Sequence, residues 1–396
     1  MRILERQIIM FELSTAANDA NIQTHSSPVN ELILKLASRC NINCSYCYWF
    51  RDPLVLSSPK IIQPEVVLAF SDKLHEHVSL FKMKHFSITF HGGEPTLFPL
   101  ERFEALCQSI HQIKQQTHCN IALSMQSNGL LIDKNWLKVL KKYNVTLGIS
   151  LDGEQQIHDK YRIDHKGRGT YLKTVAAIER LRAADLSVYI LSVADPQRGA
   201  ALFVDHLVNQ LGIKQFDVII PHLHHENKVV SIADYFCDLF DQYMDTLIEQ
   251  DVGIRILDKY MKQIVLSLRQ QNPGPGYIST VTLLTDGSLE ATDDLRGAGG
   301  LAPSIINIKT HTLQQVCEDP LWQEIYHSSL NLSEKCLSCE FKDTCAGGPM
   351  ATRWSDKNRF DNPSVYCNDL FKIMTHMKNR LAPHIDKAIQ QETLEC

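Results

Sequence analysis

Short apolar runs alternate with amphipathic stretches from about residue 31 to about residue 250. Six of the apolar runs have the length of buried strands, at residues 31–38, 85–91, 121–127, 145–151, 186–193 and 215–221. Apolar side chains in the stretch after each run recur every three or four residues, which is typical of one helix face. Six strand–helix repeats predict a parallel sheet with right-handed crossovers. Because a closed barrel of this kind has eight repeats, we expect a partial, TIM-like (β/α)6 barrel in an α/β protein.

The pattern changes after about residue 255. Residues 280–293 predict a β-hairpin with Asp286 and Gly287 in its turn. A Cys-rich stretch of little periodicity follows at 336–367, and then a final helix near 368–390. We therefore expect five parts, which are an N-terminal extension (1–30), the barrel (31–255), a bridging segment with the hairpin (256–300), a Cys-rich domain (301–372) and a C-terminal helix and tail (373–396).

Composition narrows the class of protein. The 396 residues are 44% hydrophobic and 21% charged, as in ordinary globular proteins. A formal net charge of -5 gives no reason to expect nucleic acid as a partner. No segment reaches the roughly 18 consecutive apolar residues of a membrane span, and the N-terminus lacks a secretory signal pattern. We expect a cytoplasmic protein that binds neither nucleic acid nor membrane.

Seven of the twelve cysteines fall into two groups, and the other five are scattered singly. The first group is Cys40, Cys44 and Cys47, and the second is Cys336, Cys339, Cys345 and Cys367. In a cytoplasmic chain, clustered cysteines indicate metal binding rather than disulfides. We interpret the scattered five as small buried hydrophobic residues.

The first group lies on one short loop after the first predicted strand. Three thiolates can bind three irons of a four-iron cluster and leave the fourth iron open to a chelating ligand. A zinc ion would require a fourth protein ligand, and the spacing supplies none nearby. A zinc or disulfide loop is the alternative.

The CX3CX2C spacing, with Tyr46 before the last cysteine, resembles the radical S-adenosylmethionine (SAM) superfamily. The resemblance implies a 4Fe-4S cluster on Cys40, Cys44 and Cys47, with SAM bound to its open iron. Further segments at the ends of the predicted strands agree with it, and by the resemblance the residues that contact SAM are Tyr46, Gly92, Gly93, Glu94, Pro95, Gln126, Ser127, Asn128, Ser150, Asp152 and Arg162.

The chemistry of these loops is compatible with that role. Two consecutive glycines allow backbone to approach a ligand closely, and Glu94 can accept a hydrogen bond from the SAM ammonium group. Asn128 and Ser150 can bond ribose hydroxyls or a carboxylate. Each segment taken alone is also compatible with an ordinary turn.

The second group, Cys336-X2-Cys339-X5-Cys345 with Cys367, offers four thiolates. Four thiolates can close a cluster completely, which suits electron transfer, or they can hold zinc. The resemblance to SPASM domains favours an auxiliary 4Fe-4S cluster. Relatives with two auxiliary clusters have further cysteines where this chain has Thr292 and Pro349. We therefore expect two clusters in all.

Two further positions are candidates for contact with substrate. Asp293 matches the position of a catalytic carboxylate in sulfatase-maturating relatives, which implies that it is a catalytic base. The alternative is a solvated carboxylate at the end of the hairpin. His222, His224 and His225 follow the sixth predicted strand, where a substrate contact, a metal site or plain loop polarity are all compatible with the pattern.

The stretch from Cys345 to Cys367 resembles the cyclophane-forming, triceptide-type maturases of ribosomally made peptides. The resemblance implies hydrogen abstraction from a side-chain Cβ of a precursor peptide and a new carbon–carbon bond to an aromatic ring, with the auxiliary cluster accepting an electron. A flavodoxin or ferredoxin is the implied reductant. One alternative is an anaerobic sulfatase-maturating enzyme that forms formylglycine. Another is a non-catalytic iron–sulfur electron carrier or zinc-stabilised scaffold.

Overall fold

The computed structural model describes residues 28–268, 279–298, 301 and 303–395. The expected N-terminal extension lies outside the described residues except for its last three positions, and so does part of the expected bridging segment (269–278, 299–300). Among the described residues, no helix is both long enough and apolar enough to cross a membrane.

The described strands are, in chain order, β1 (Glu31–Ala37), β2 (Ile42–Cys44), β3 (His85–Gly92), β4 (Asn120–Ser127), β5 (Thr146–Ser150), β6 (Arg162–Asp164), β7 (Val188–Val193), β8 (Gln215–Ile219), β9 (Gly253–Ile254), β10 (Thr280–Leu283) and β11 (Leu289–Glu290). The described α-helices are α1 (Leu54–Ser57), α2 (Pro64–Leu80), α3 (Leu100–Thr117), α4 (Lys134–Lys142), α5 (Gln155–Tyr161), α6 (Tyr171–Ala183), α7 (Ala200–Val204), α8 (Ala233–Gln242), α9 (Arg255–Leu268), α10 (Pro320–Leu330), α11 (Glu334–Leu337), α12 (Lys342–Cys345) and α13 (Cys367–Glu395). The six strands predicted from apolar runs are all present within two residues of their expected ends.

The described chain divides into two compact units. The first, here called the core unit, comprises residues 28–191 and 279–327. Its sheet has the strand order β11-β10-β1-β3-β4-β5-β7, and every neighbouring pair is parallel except β10 and β11. Strands such as β3 alternate buried with less buried positions, and β1 is buried at its last four. The predicted α/β fold with a parallel sheet is therefore confirmed.

The predicted hairpin extends this sheet rather than standing apart from it. Strand β10 pairs in parallel with β1, with Glu31 opposite Thr280 and Leu34 opposite Leu283. Gly287 occupies the turn with a φ of 95°, a conformation that favours glycine. A 3-10 helix (Asp293–Ala298) follows β11, and it packs against the 3-10 helix Tyr48–Arg51. The hairpin thus returns the chain to the first cysteine loop.

The second unit, here called the C-terminal unit, comprises residues 192–268 and 328–395. Strands β8 and β9 form a short parallel pair, and helix α13 packs against α8 and α9. The apolar face of α13 follows the three- and four-residue spacing of a helix, with Leu370, Met374, Met377, Leu381 and Ile385 all buried. The predicted C-terminal helix is confirmed.

Candidate active site

The first cysteine loop is held by a small antiparallel pair of strands that the apolar pattern did not reveal. Strands β2 and β6 place Cys44 opposite Arg162. Burial raises the pKa of Cys40 to about 12 and that of Cys44 to about 11, and Cys47 adds to both shifts. Buried thiols of this kind become thiolates when a metal binds them, because coordination replaces the proton. The three side chains therefore fit an iron cluster.

Gly92 and Gly93 pass close to the backbone that leads into this loop. A Cβ on Gly92 would lie 2.3 Å from the carbonyl oxygen of Ala37, and a Cβ on Gly93 would lie 2.3 Å from that of Arg39. The same atom on Gly93 would come within 2.9 Å of the nitrogen of Cys40. Any side chain at either position would force the two loops apart, so the glycines are required by close approach of the backbone.

Glu94 is buried, and protein donors use both of its carboxylate oxygens. Its Oε1 accepts from Ser127 Oγ at 2.7 Å and from Thr96, and its Oε2 accepts from the Asn128 nitrogen at 2.9 Å. Pro95 begins the 3-10 helix that follows. Burial raises the pKa of Glu94, and these hydrogen bonds oppose that shift. Glu94 therefore ties the ends of β3 and β4 together, and its bond to a SAM ammonium group stays a prediction.

Polar side chains at the ends of β4 and β5 extend towards the same loop. Asn128 Nδ2 donates to Asn41 Oδ1 at 2.7 Å and lies 3.8 Å from the Cys40 sulfur. Gln126 Nε2 donates to Ser150 Oγ at 2.9 Å across the two neighbouring strands. Asn128 therefore brings an amide group beside Cys40, and Gln126 and Ser150 lie at the carboxyl ends of the same parallel strands, where ligand sites are expected.

A buried ion pair also contacts the first cysteine loop. Arg162 donates to both carboxylate oxygens of Asp152, from Nε at 2.8 Å and from Nη2 at 3.1 Å, and Tyr46 Oη also donates to Asp152. Burial raises the pKa of Asp152, but Arg162 outweighs it and the net shift is downward. Arg162 also lowers the pKa of Cys44. His158 completes the group by accepting from the Asp152 nitrogen at 3.4 Å.

Asp293 lies in a buried group of polar side chains next to the same loop. Tyr48, the residue after Cys47, donates to Asp293 Oδ2 at 2.6 Å, and Lys35 Nζ donates to the same oxygen. Lys35 also donates to His91 Nδ1 at 2.9 Å. Burial raises the pKa of Asp293, but Lys35 and His91 outweigh it and hold the pKa well below its usual range. The solvated surface carboxylate considered as the alternative is therefore wrong.

The sequence interpretation missed Lys35, Tyr48 and His91 as members of this group. Lys35 could have been recognised from the sequence, because it is the one basic residue within the apolar strand β1. The structure shows that it is fully buried. A buried charge needs a partner. Among the described residues, every donor to the Asp293 carboxylate bonds Oδ2, and none bonds Oδ1.

The second cysteine group lines one cavity in the C-terminal unit. The cavity has a volume of about 230 Å³, and its lining includes Cys336, Cys339, Cys345 and Cys367. Burial raises the pKa of Cys345 to about 12, and the other three thiols add to the shift. Within the described residues, no three His, Cys, Asp or Glu side chains converge as a single metal ion would require. A four-iron cluster instead bonds each thiolate to a different iron, and the four side chains around a cavity fit such a group.

Thr292 and Pro349, at the positions where relatives with two auxiliary clusters have cysteines, add no thiol to either cysteine group. Thr292 Oγ1 donates to Asp294 Oδ1 at 2.6 Å, and Pro349 precedes a 3-10 helix.

The histidines after β8 lie in the C-terminal unit, where His225 Nε2 bonds the Pro363 carbonyl oxygen at 2.9 Å. His224 is buried. Substrate contact by these histidines stays a prediction.

Comparison with known proteins agrees with this geometry. Residues 34–198 match the radical SAM superfamily. A cysteine-type anaerobic sulfatase-maturating enzyme of Clostridium perfringens is 27% identical over 375 residues, which cover 89% of this chain and 97% of that enzyme.

Solved structures show the same fold. The structure of anSMEcpe with bound AdoMet and the Cp18Cys peptide has a TM-score of 0.78 and 24% identity, covering 91% of this chain and 99% of that one. Streptococcus suis SuiB bound to its precursor peptide SuiA has a TM-score of 0.59 and 17% identity, covering 92% of this chain and 88% of that one.

Proposed function

We propose that this chain, whose residues 34–198 match the radical SAM superfamily, removes two hydrogens from a peptide or protein substrate, which are two electrons and two protons in all, starting at a side-chain Cβ. The observation that carries the proposal is the position of Asp293. Tyr48 bonds this carboxylate and directly follows Cys47, so a buried proton acceptor stands beside the loop that would hold the first cluster. An electron carrier or a zinc-stabilised scaffold has no need of that arrangement.

Three groups of side chains would hold the cofactors. Cys40, Cys44 and Cys47 would bind a 4Fe-4S cluster, and the polar residues at the ends of β3, β4 and β5 would orient SAM on it. Cys336, Cys339, Cys345 and Cys367 would bind an auxiliary 4Fe-4S cluster. When bound and reduced, the first cluster and SAM supply a radical that takes a hydrogen atom from an unactivated carbon. We assign the supply of the first electron to a flavodoxin or ferredoxin.

Asp293 would act after the hydrogen atom has left the substrate. The substrate radical must still lose one electron and one proton to reach a closed-shell product. Asp293 Oδ1 is the acceptor that we assign to the proton, since Oδ2 is occupied by Lys35 and Tyr48. The electron is assigned to the auxiliary centre, whose four thiols would leave no iron open to substrate.

For the product, we propose a cyclophane in a ribosomally made peptide. The Cβ radical would form a carbon–carbon bond to an aromatic ring carbon, and that carbon would then lose its proton to Asp293. The net change is the loss of two hydrogens. Support comes from the hairpin without cysteine and from the single complete set of four cysteines, with Thr292 and Pro349 at the two remaining positions.

Formylglycine formation is the second candidate. It is favoured by the 27% identity to a cysteine-type sulfatase-maturating enzyme over nearly the full length of both chains. In that reaction the Cβ and the thiol of a cysteine each lose a hydrogen, and water then replaces sulfide at the thioaldehyde carbon. The first half of the chemistry is shared, so Asp293 would serve both products.

The test is anaerobic incubation of the reconstituted enzyme with SAM, a reductant and two substrates, followed by tandem mass spectrometry. One substrate is a small peptide encoded beside the gene, and the other is a sulfatase fragment with its target cysteine. Loss of two hydrogens with blocked fragmentation between an aromatic residue and a later residue establishes the cyclophane. Conversion of the sulfatase cysteine establishes formylglycine instead.

Two variants serve as controls. Cys44→Ala should abolish SAM cleavage, whereas Asp293→Asn should cleave SAM and release unfinished or unmodified substrate. Wild-type protein that carries both clusters and cleaves SAM, yet leaves both substrates unchanged, contradicts the proposal. Full modification by Asp293→Asn contradicts the role of the carboxylate.

A further inference from the structure

Arg353 is a buried cation in the C-terminal unit, at the end of the 3-10 helix Met350–Arg353. Only 1% of it is exposed, and it is the bulkiest fully buried side chain among the described residues. Its Nε donates to the Asn362 carbonyl oxygen at 2.9 Å, and its Nη1 donates to the Ser328 carbonyl oxygen at 2.8 Å. Both acceptors are neutral, so neither balances the charge.

The third nitrogen of this guanidinium is buried without a hydrogen-bond partner. A guanidinium keeps its charge even when buried, and an uncompensated buried charge is strongly destabilising. Among the described residues, no anionic side chain hydrogen-bonds Arg353.

The Arg353 guanidinium packs against the segment that carries the second cysteine group. A Cβ built on Gly347 would meet Arg353 Nη1 at 3.3 Å and Cζ at 3.4 Å, so the guanidinium packs directly behind this glycine. Gly347 lines the cavity that also contains the four cysteines. Asp361 acts on Arg353 as a negative group, and the Cys336 and Cys345 sulfurs would do so once metal binding replaces their protons.

We propose that Arg353 is the counter-charge of the auxiliary cluster and raises its reduction potential. This inference rests on the proposed function, because it takes the second cysteine group as the site of that cluster. A cluster on four thiolates is anionic, and uptake of one electron makes it more so without forming a bond or moving a proton. A fixed positive charge in a poorly polarisable interior stabilises the reduced form more than the oxidised form. Arg353 would thus make the cluster a better electron acceptor.

A purely structural role is the competing explanation, since Arg353 also ties Ser328 to Asn362. Two substitutions separate the explanations. Arg353→Gln removes the charge and keeps hydrogen-bond donors, whereas Arg353→Lys keeps the charge and loses the planar fork. Lys357→Gln is the matched control, because it removes an exposed positive charge from the same segment.

The experiment is a potentiometric titration followed by electron paramagnetic resonance. It uses the full chain, reconstituted anaerobically in a Cys44→Ala background so that the signal comes from the second group. Arg353→Gln should lower the midpoint potential by at least about 59 mV, which is a tenfold change in a one-electron equilibrium. Arg353→Lys and Lys357→Gln should leave it unchanged. A wild-type potential in Arg353→Gln, or an equal shift in Arg353→Lys, overturns the proposal.

A further variant decides the matter if Arg353→Gln does not retain its cluster. Asp361→Asn removes an exposed carboxylate that acts on Arg353, and the midpoint potential should rise. No change, or a fall, overturns the proposal. Iron analysis distinguishes failure of the inference about Arg353 from failure of the proposed function. A wild-type chain that binds only one four-iron cluster lacks the auxiliary centre altogether, which contradicts the proposed function.

Discussion

Replacing Lys35 with methionine isolates the charge that holds Asp293 in place. Lys35 is fully buried in β1, its ammonium nitrogen bonds Asp293 and His91, and that nitrogen lies 4.2 Å from the centre of the Trp49 ring. Methionine keeps most of the apolar stem that packs there. The substitution therefore leaves Asp293 with Tyr48 as its remaining donor among the described residues.

The expected loss of stability is large. Removing one partner of a buried ion pair costs about 3–5 kcal/mol, because the other charge stays buried without compensation. The hydrogen bond from Tyr48 persists, and bonds to charged groups contribute about 1.5–3 kcal/mol. We therefore expect Lys35→Met to lower the free energy of unfolding by about 3 kcal/mol at neutral pH, at the lower end of that range.

The pH dependence gives a sharper signature than the size of the loss. In the wild type, Asp293 has a lower pKa in the folded protein than in the unfolded chain, where it is near 3.9. The ion pair therefore stabilises the fold fully above about pH 3.9, and this stability is lost as the pH falls towards the folded-state pKa. Without Lys35, burial would raise the folded pKa above the unfolded one. The variant then loses stability as the pH rises, so the difference from the wild type widens from about pH 4 to pH 7.

The assay is a urea titration of anaerobically reconstituted protein at several pH values. Lys73→Met is the matched control, since it breaks an exposed pair with Glu76 and should change stability at no pH. The double variant Lys35→Met with Asp293→Asn should recover part of the loss, because the uncompensated charge is gone. A Lys35→Met protein whose difference from the wild type is constant across this pH range refutes the reasoning.

Two further predictions follow from the contacts around the first loop. Gly93→Ala should abolish SAM cleavage and reduce iron binding, because its Cβ would lie 2.3 Å from the Arg39 carbonyl oxygen. Gly167→Ala meets nothing within 4 Å, so the strain of alanine at a φ of 75° is its only cost, and it should retain both properties. Iron analysis and SAM cleavage check this, and equal loss in both variants would contradict it. His158 has a pKa lowered to about 4, first by burial and then by Arg162, so the fold should lose stability as the pH falls from about 6.5 to about 4. His158→Gln should flatten that part of the urea-midpoint profile, and an unchanged slope would contradict the assignment.

Local pattern was sufficient to predict much of this fold. The strands β1, β3, β4, β5, β7 and β8 are apolar runs of adequate length, so burial of their side chains could be read directly from the sequence. Each cysteine group was recognised from spacing within a short segment. The strands β2 and β6 have three residues each, too few for any periodicity, and the pairing of Cys44 with Arg162 was therefore missed.

Contacts between distant segments could not be predicted in the same way. Nothing in the local sequence of the hairpin indicates that β10 pairs with β1, since any strand with one free edge is a possible partner. The contact between Lys35 and Asp293 spans 258 positions of the chain. The buried lysine in β1 indicated that a partner exists, but the fold alone determines which carboxylate it is.

The strength of this ion pair also constrains the order of steps in the proposed reaction. A carboxylate whose pKa is held well below its usual range is a weak base, and proton transfer to it is efficient only from a strongly acidic donor. A neutral substrate radical that still holds its electron is a poor acid, whereas the cation formed by losing that electron is a strong one. Asp293 can therefore accept the proton readily once the electron has left. Oxidation should precede deprotonation, and Lys35 then keeps the carboxylate ionised and in position until the acidic intermediate forms.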